Sequence, residues 1–236
     1  MRKPKKLSRE ELAPFVVELP EANPFTRPAA FAATSGSGGS SATPAGRGEA
    51  LNWESLFGNA NPVEVEVGFG KGLFLVSAGT AHPDVNYFGV EIVRKYQLYA
   101  ANRVARRKLT NVKTCCADAK RVLAHHIPPG SVRTVHVFFP DPWWKTRHKK
   151  RLLFTDEFAA GVLRVLRPGG VLHFVTDVKD YFEMVTGLLA TLPAFRELPP
   201  PAENTPQHDM DYLTNFERKF RKEGRPIYRS RYEKTA

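Results

Sequence analysis

Val63-Glu64-Val65-Glu66-Val67-Gly68-Phe69-Gly70-Lys71-Gly72 alternates valine with glutamate and then breaks into a loop of three glycines. A β-branched residue at every second position is the pattern of a strand, and the glycines supply a tight turn into a helix over about 71–80. The same unit recurs along the chain. Strands over 87–92, 112–116, 134–139 and 171–176 alternate with helices over 94–108, 119–126, 155–166 and 181–191. Arg167-Pro168-Gly169-Gly170 stops the third of these helices. A helix over 213–222 and a last strand over 226–232 complete the pattern. Such alternation predicts an α/β fold, Rossmann-like, with a mostly parallel sheet and helices on both faces.

The 236 residues, 42% hydrophobic, suffice for one sizeable core. Residues 1–27 read as a basic N-terminal extension. Residues 28–50 are nearly all Ala, Gly, Ser, Thr and Pro and read as a flexible low-complexity insertion, because they bury too little surface to offset ordering. One α/β domain then spans 51–236. The formal charge of +11 favours a polyanionic partner, and the cations cluster at 2–6, 103–108, 145–151 and 218–231. A merely soluble basic protein is the alternative on charge alone.

Cys115 and Cys116 are adjacent, so they neither bridge readily nor match metal-site spacing, and a reduced, cytoplasmic setting follows. His125-His126 reads as a surface or capping pair, and no metal is expected. No apolar run is long enough to span a membrane. The basic N-terminus has no apolar core behind it and carries Glu10-Glu11, unlike a targeting peptide.

In a sheet of this kind the ligand lies beyond the carboxyl ends of the strands. Each of those ends delivers an acid: Glu66, Glu91, Asp118, Asp141 and Asp177. Asp118 and Asp177 have a second reading as ordinary helix caps. The glycine loop, Gly68, Gly70 and Gly72, departs from the dinucleotide fingerprint, which would place its third glycine at position 73, where Leu73 stands. A dinucleotide would also bring a pyrophosphate against Glu66. S-adenosylmethionine carries a sulfonium and an ammonium and no phosphate, so nearby carboxylates favour it. Glu91 is placed for ribose hydroxyls and Asp118 for the adenine amino group. The expected cofactor is S-adenosylmethionine.

Phe138-Phe139-Pro140-Asp141-Pro142-Trp143-Trp144-Lys145-Thr146-Arg147-His148-Lys149-Lys150-Arg151 adds the chemistry. Prolines on both sides fix the backbone of Asp141 at a strand's end. Two indoles and five cations follow. Lys145, Arg147, Lys149, Lys150 and Arg151 suit RNA phosphates, although two or three have a plain reading as solvated charges. Trp143 reads as packed and Trp144 as able to stack on a base. In the helix over 94–108, Tyr96 and Tyr99 read as packing. Thr214-Asn215-Phe216-Glu217 reads locally as a capping box.

Glu66-Val67-Gly68-Phe69-Gly70-Lys71-Gly72, Phe139-Pro140-Asp141-Pro142-Trp143 with Lys145, Arg147 and His148, and Thr214-Asn215-Phe216-Glu217-Arg218-Lys219 together resemble the bacterial tRNA (guanine-N7)-methyltransferase family. The resemblance covers roughly residues 53–234. Trp144, Leu152 and the insertion depart from the family's usual pattern. The resemblance implies a class I S-adenosylmethionine-dependent methyltransferase domain with a seven-stranded sheet, acting on N7 of guanine 46 in the variable loop of tRNA. It implies Glu66, Glu91, Asp118 and Asp141 as cofactor contacts, Asp141 also as the active-site acid, and Lys145, Asp177 and 214–217 as substrate contacts. The partner is then tRNA, bound by a monomer or homodimer.

Guanine N7 offers a lone pair and no proton, so no base is needed to activate it. A carboxylate serves instead to hold the guanine's N–H edge and offset the positive charge that methylation creates. Another nucleic-acid or protein N-methyltransferase and a non-catalytic RNA-binding scaffold stay open as alternatives. An NAD oxidoreductase ranks below both.

Overall fold

The computed structural model describes residues 7–19, 22, 50–142, 152–200 and 214–235. The central strands are β2 (Val63–Val67), β3 (Asn86–Glu91), β4 (Val112–Cys116), β5 (Val132–Phe138) and β6 (Leu166–Thr176). Between them run α3 (Leu73–Ala81), α4 (Arg94–Arg106), α5 (Ala119–Arg121) and α6 (Asp156–Val165). After β6 come α7 (Lys179–Ala190), β7 (Phe195–Leu198), α8 (Asn215–Lys222) and β8 (Tyr228–Lys234). Ahead of them lie α1 (Arg9–Leu12), β1 (Val16–Val17) and α2 (Trp53–Phe57).

Among the described residues the sheet has eight strands, in the order β1-β4-β3-β2-β5-β6-β8-β7, and not the seven the resemblance implies. The additional member is β1, which pairs parallel with Thr114 and Cys115 of β4. Lys113 Nζ donates to the Pro14 carbonyl at 2.7 Å and Thr114 Oγ1 to that of Phe15 at 3.1 Å, tying the segment to the sheet edge. Two residues are too few to show a strand's periodicity. β7 likewise is four residues long and pairs antiparallel with β8, which itself runs antiparallel to β6. The strands from β1 to β6 are parallel, and the order reverses between β2 and β5.

Alternate residues of each strand feed two cores, one per face. Val65, Phe88, Val135, Leu172 and Phe174 pack with Phe154, Phe158 and Leu123 on one side. Tyr87, Phe138 and Val175 pack with Leu75, Val76, Val104 and Phe220 on the other. Three local details differ from the sequence reading. β6 starts at Leu166, and residues 167–170 bulge where only Arg133 intervenes on β5. The helix over 119–126 divides into α5 and a π-helical turn, Val122–His126. Within that turn His125 is exposed, as read for the pair, whereas His126 is buried and its carbonyl accepts from the Leu51 amide at 2.7 Å.

Candidate active site

The turn after β2 is built from left-handed backbone. Gly68, Gly70 and Gly72 have φ of 74°, 53° and 67°, a region that side-chain-bearing residues rarely enter. Gly72 has a second constraint, because a Cβ there would lie 2.7 Å from Ala100 Cβ on α4. At Gly68 and Gly70 a Cβ would meet no atom of the described residues within 4 Å, so bare backbone faces open space there. The glycine loop is therefore packed on one side and open on the other.

Acids surround that space. Glu91, at the end of β3, accepts from the Gly70 amide through Oε2 and from the Val93 amide through Oε1, both at 2.9 Å. This clips the loops after β2 and β3 together. Burial raises its carboxyl above the usual range despite amide donors from Val93, Gly70 and Ile92, and nearby Asp141 adds to the rise. Glu66 is 2% exposed and its Oε2 has no hydrogen-bond partner among the described residues. Burial, and then the charge of Glu91, hold it well above the ordinary carboxylate range. A buried acid with an unpartnered oxygen beside Glu91, which itself neighbours Asp141, calls for a cationic, hydrogen-bond-donating group. S-adenosylmethionine meets that description, and these residues fit it.

Asp141 stands exposed just past β5. The turn that presents it was not legible from the prolines alone. Phe139 adopts φ 51°, strained for an aromatic residue, while its amide donates to the Val175 carbonyl at 2.7 Å. Asp118 accepts from the Lys120 amide at 2.9 Å, so its cap reading is realised alongside its place next to Glu91, whose carbonyl accepts from the Ala117 amide. Among the described residues no group of three or more His, Cys, Asp or Glu side chains is arranged to hold a metal ion.

Residues 60–230 match the family described as a putative methyltransferase. A tRNA (guanine-N(7)-)-methyltransferase of Rhodopirellula baltica is 45% identical over 190 residues, covering 78% of this chain and 70% of that one. One of Hydrogenovibrio crunogenus is 37% identical over 178 residues, 75% and 74% of the two chains. The chain belongs to the tRNA (guanine-N7)-methyltransferase family. Among solved structures, the aminoglycoside resistance methyltransferase NpmB1 superposes with a TM-score of 0.53 at 19% identity over 74% of this chain and 87% of its own. The antibiotic-resistance methyltransferase Kmr gives 0.53 at 15% identity over 79% and 95%. These two confirm the class I methyltransferase fold.

The family's third motif sits on α8, against the ends of β5 and β6. Thr214 caps the helix, its hydroxyl accepting from the Glu217 amide at 3.0 Å. Asn215 Oδ1 accepts from Arg218 at 3.3 Å. Phe216 is 53% exposed, stacked on Phe220 at 5.9 Å and tilted against Phe139 at 6.4 Å, so an aromatic face stands open beside Asp141's turn. Glu217 is buried, and its Oε1 accepts from Arg221 at 3.1 Å and from Arg229 at 2.9 Å. Asp177 is not a cap, since Val178 holds the N-cap position of α7, with no side-chain hydrogen bond to the helix; its Oδ2 pairs with Arg225. The Arg225 guanidinium lies 4.1 Å from the centroid of Phe220.

The sequence reading missed Arg225 and Arg229, which bind Asp177 after β6 and Glu217 on α8 from beyond the helix. Lys145, Arg147, Lys149, Lys150 and Arg151, with Trp143 and Trp144, lie outside the described residues. Tyr96 and Tyr99, read as packing, are 39% and 53% exposed, because the buried side of α4 is made of Gln97, Ala100, Ala101 and Val104.

Proposed function

We propose that the protein transfers the methyl group of S-adenosylmethionine to N7 of guanine 46 in the variable loop of tRNA. The observation that carries this reading is the gathering of Glu66, Glu91 and Asp141 around an open glycine loop, next to the exposed face of Phe216. When bound, S-adenosylmethionine supplies a methyl group on a sulfonium, already activated for attack by a lone pair. Glu66 would hold its amino group, Glu91 the ribose hydroxyls and Asp118 the adenine, while Gly68 and Gly70 let it approach the backbone.

The nucleophile carries no proton, so the chain has none to remove at N7. Asp141 accepts from the guanine N–H edge, fixes the base in line and offsets the positive charge that develops on the ring. Asp177 is the second acceptor on that edge, with Thr214, Asn215 and Glu217 shaping the pocket wall, and Phe216 is a stacking surface for the base. Lys145, Arg147, Lys149, Lys150 and Arg151 take RNA phosphates. Residues 51–236 form the methyltransferase domain, and Cys115 and Cys116, both buried and neither in a disulfide, agree with a reducing, cytoplasmic setting.

The test is transfer of labelled methyl to tRNA transcripts carrying guanine or adenine at position 46, with mapping of the modified nucleotide. Only the guanine transcript should accept label, at N7. Asp141→Ala should lose roughly 10²-fold or more of the rate at saturating cofactor. Full turnover by that variant would remove Asp141 from the mechanism.

A further inference from the structure

α4 borders the glycine loop with a side that the core does not use. Helical geometry turns 100° per residue, so Tyr96, Tyr99 and Arg103 fall in one strip that Arg107, just past the helix, continues. The strip is adjacent to Ala100, whose contact with Gly72 sets α4 against the cofactor loop. Arg103 Nη1 donates to the Lys71 carbonyl at 2.9 Å, which fixes the same side from the next turn.

The strip is strongly cationic. No acid occurs between Glu91 and Asp118, whereas Arg94, Lys95, Arg103, Arg106, Arg107 and Lys108 all do. Arg94 is engaged by Glu18 and Arg106 by Asn102, and Arg107 and Lys108 are exposed. Burial lowers the basicity of Arg103, and the charges of Arg107 and of Arg218 on α8 lower it further, so cations from two helices crowd one place. Exposed rings interleaved with like charges beside a crevice match a nucleic-acid strand, which brings phosphates to the charges and base faces to the rings. From Tyr96 to Arg107 the strip runs about 16 Å, enough for several nucleotides of one strand.

We propose that this side of α4 is a docking rail for tRNA, with Tyr96 and Tyr99 stacking on unpaired bases near the target and Arg103 and Arg107 holding phosphates. The inference rests on the tRNA reading above and adds to it a binding surface separate from the acidic site.

Binding of an unmodified tRNA transcript to the full chain, measured by filter retention across a salt series, tests it. Tyr99→Ala should weaken binding roughly 5- to 100-fold. Arg107→Gln should weaken it at low salt and reduce the slope of log affinity against log salt by about one. Tyr99→Phe and Arg107→Lys should bind like wild type, and S-adenosylmethionine affinity should be unchanged in all four, which separates a lost contact from a lost fold. If Tyr99→Ala and Arg107→Gln bind tRNA with wild-type affinity and salt slope while wild type methylates N7, the rail is wrong and the activity stands. If wild type itself neither binds nor methylates tRNA, the activity fails and takes the rail with it.

Discussion

At Glu66, burial and the charge of Glu91 push in one direction, toward the neutral acid. A cationic ligand group pushes the other way. If S-adenosylmethionine sets its amino group against Glu66 as proposed, binding favours the ionised carboxyl, and below the raised pKa a binding event releases a proton. The expected outcome is an affinity that strengthens as pH rises toward that value and then levels. Calorimetric titrations in two buffers of different ionisation enthalpy, repeated across pH, count the proton directly. Glu66→Gln should lose the released proton together with roughly 10- to 100-fold in affinity, the scale of one hydrogen bond to a charged group. Identical proton release by wild type and variant would exclude Glu66 from the cofactor contact. The position of Glu66 was legible in the strand-loop pattern. Its unpartnered oxygen was not, because that depends on what packs around it.

α8 shows the same division between pattern and packing. Its cap, Thr214, and its helical span were legible, as were β2 to β6 and the acids at their ends. What holds α8 in place was not, since Arg225, just before β8, and Arg229, on it, reach back across the fold to Asp177 and Glu217, contacts that no local pattern announces. β1 escaped notice for a related reason: two valines become a strand only when β4 offers an edge. The Glu217 and Arg229 side chains are 4% and 8% exposed, so truncating the acid removes the carboxylate that offsets a buried guanidinium. Glu217→Ala should cost about 3–5 kcal/mol in urea unfolding, or release α8 from the sheet. Glu217→Gln, which keeps an acceptor, should cost less. Equal stability of the alanine variant and wild type would show that the pair is not what anchors the helix.

Across the sheet, ionisable groups sit beneath the helices on one face, and their pH effects oppose one another. His173 lies among aromatic rings, 5.1 Å from Phe138 and 5.8 Å from His136 by ring centroids. Burial, then the charges of His136, Arg231 and Arg229, push its pKa down from 6.5 to about 3, against a smaller pull from Glu64. Between those values the unfolded chain holds a proton that the native chain refuses, so stability falls as pH drops below about 6.5. Burial would raise Glu64, but hydrogen bonds and charge from His136 and Arg133 bring it from 4.5 down to about 2. Its contribution is present above about 4.5 and is lost as pH falls toward 2. Glu66 and Glu91, with raised pKa values, have the reverse sign: they favour the folded state in acid and lose that as pH rises past 4.5. A wild-type curve therefore blends opposing slopes, and a difference between variants is the cleaner measurement. Relative to wild type, His173→Gln should gain stability as pH is lowered from 6.5 toward 4, by at most about 1.4 kcal/mol per pH unit. Urea midpoints for both proteins at pH 7, 6, 5 and 4 give that difference. A constant gap over the whole range would mean that His173 titrates alike in the folded and unfolded chains, and that the ring is not kept neutral by its place on the sheet.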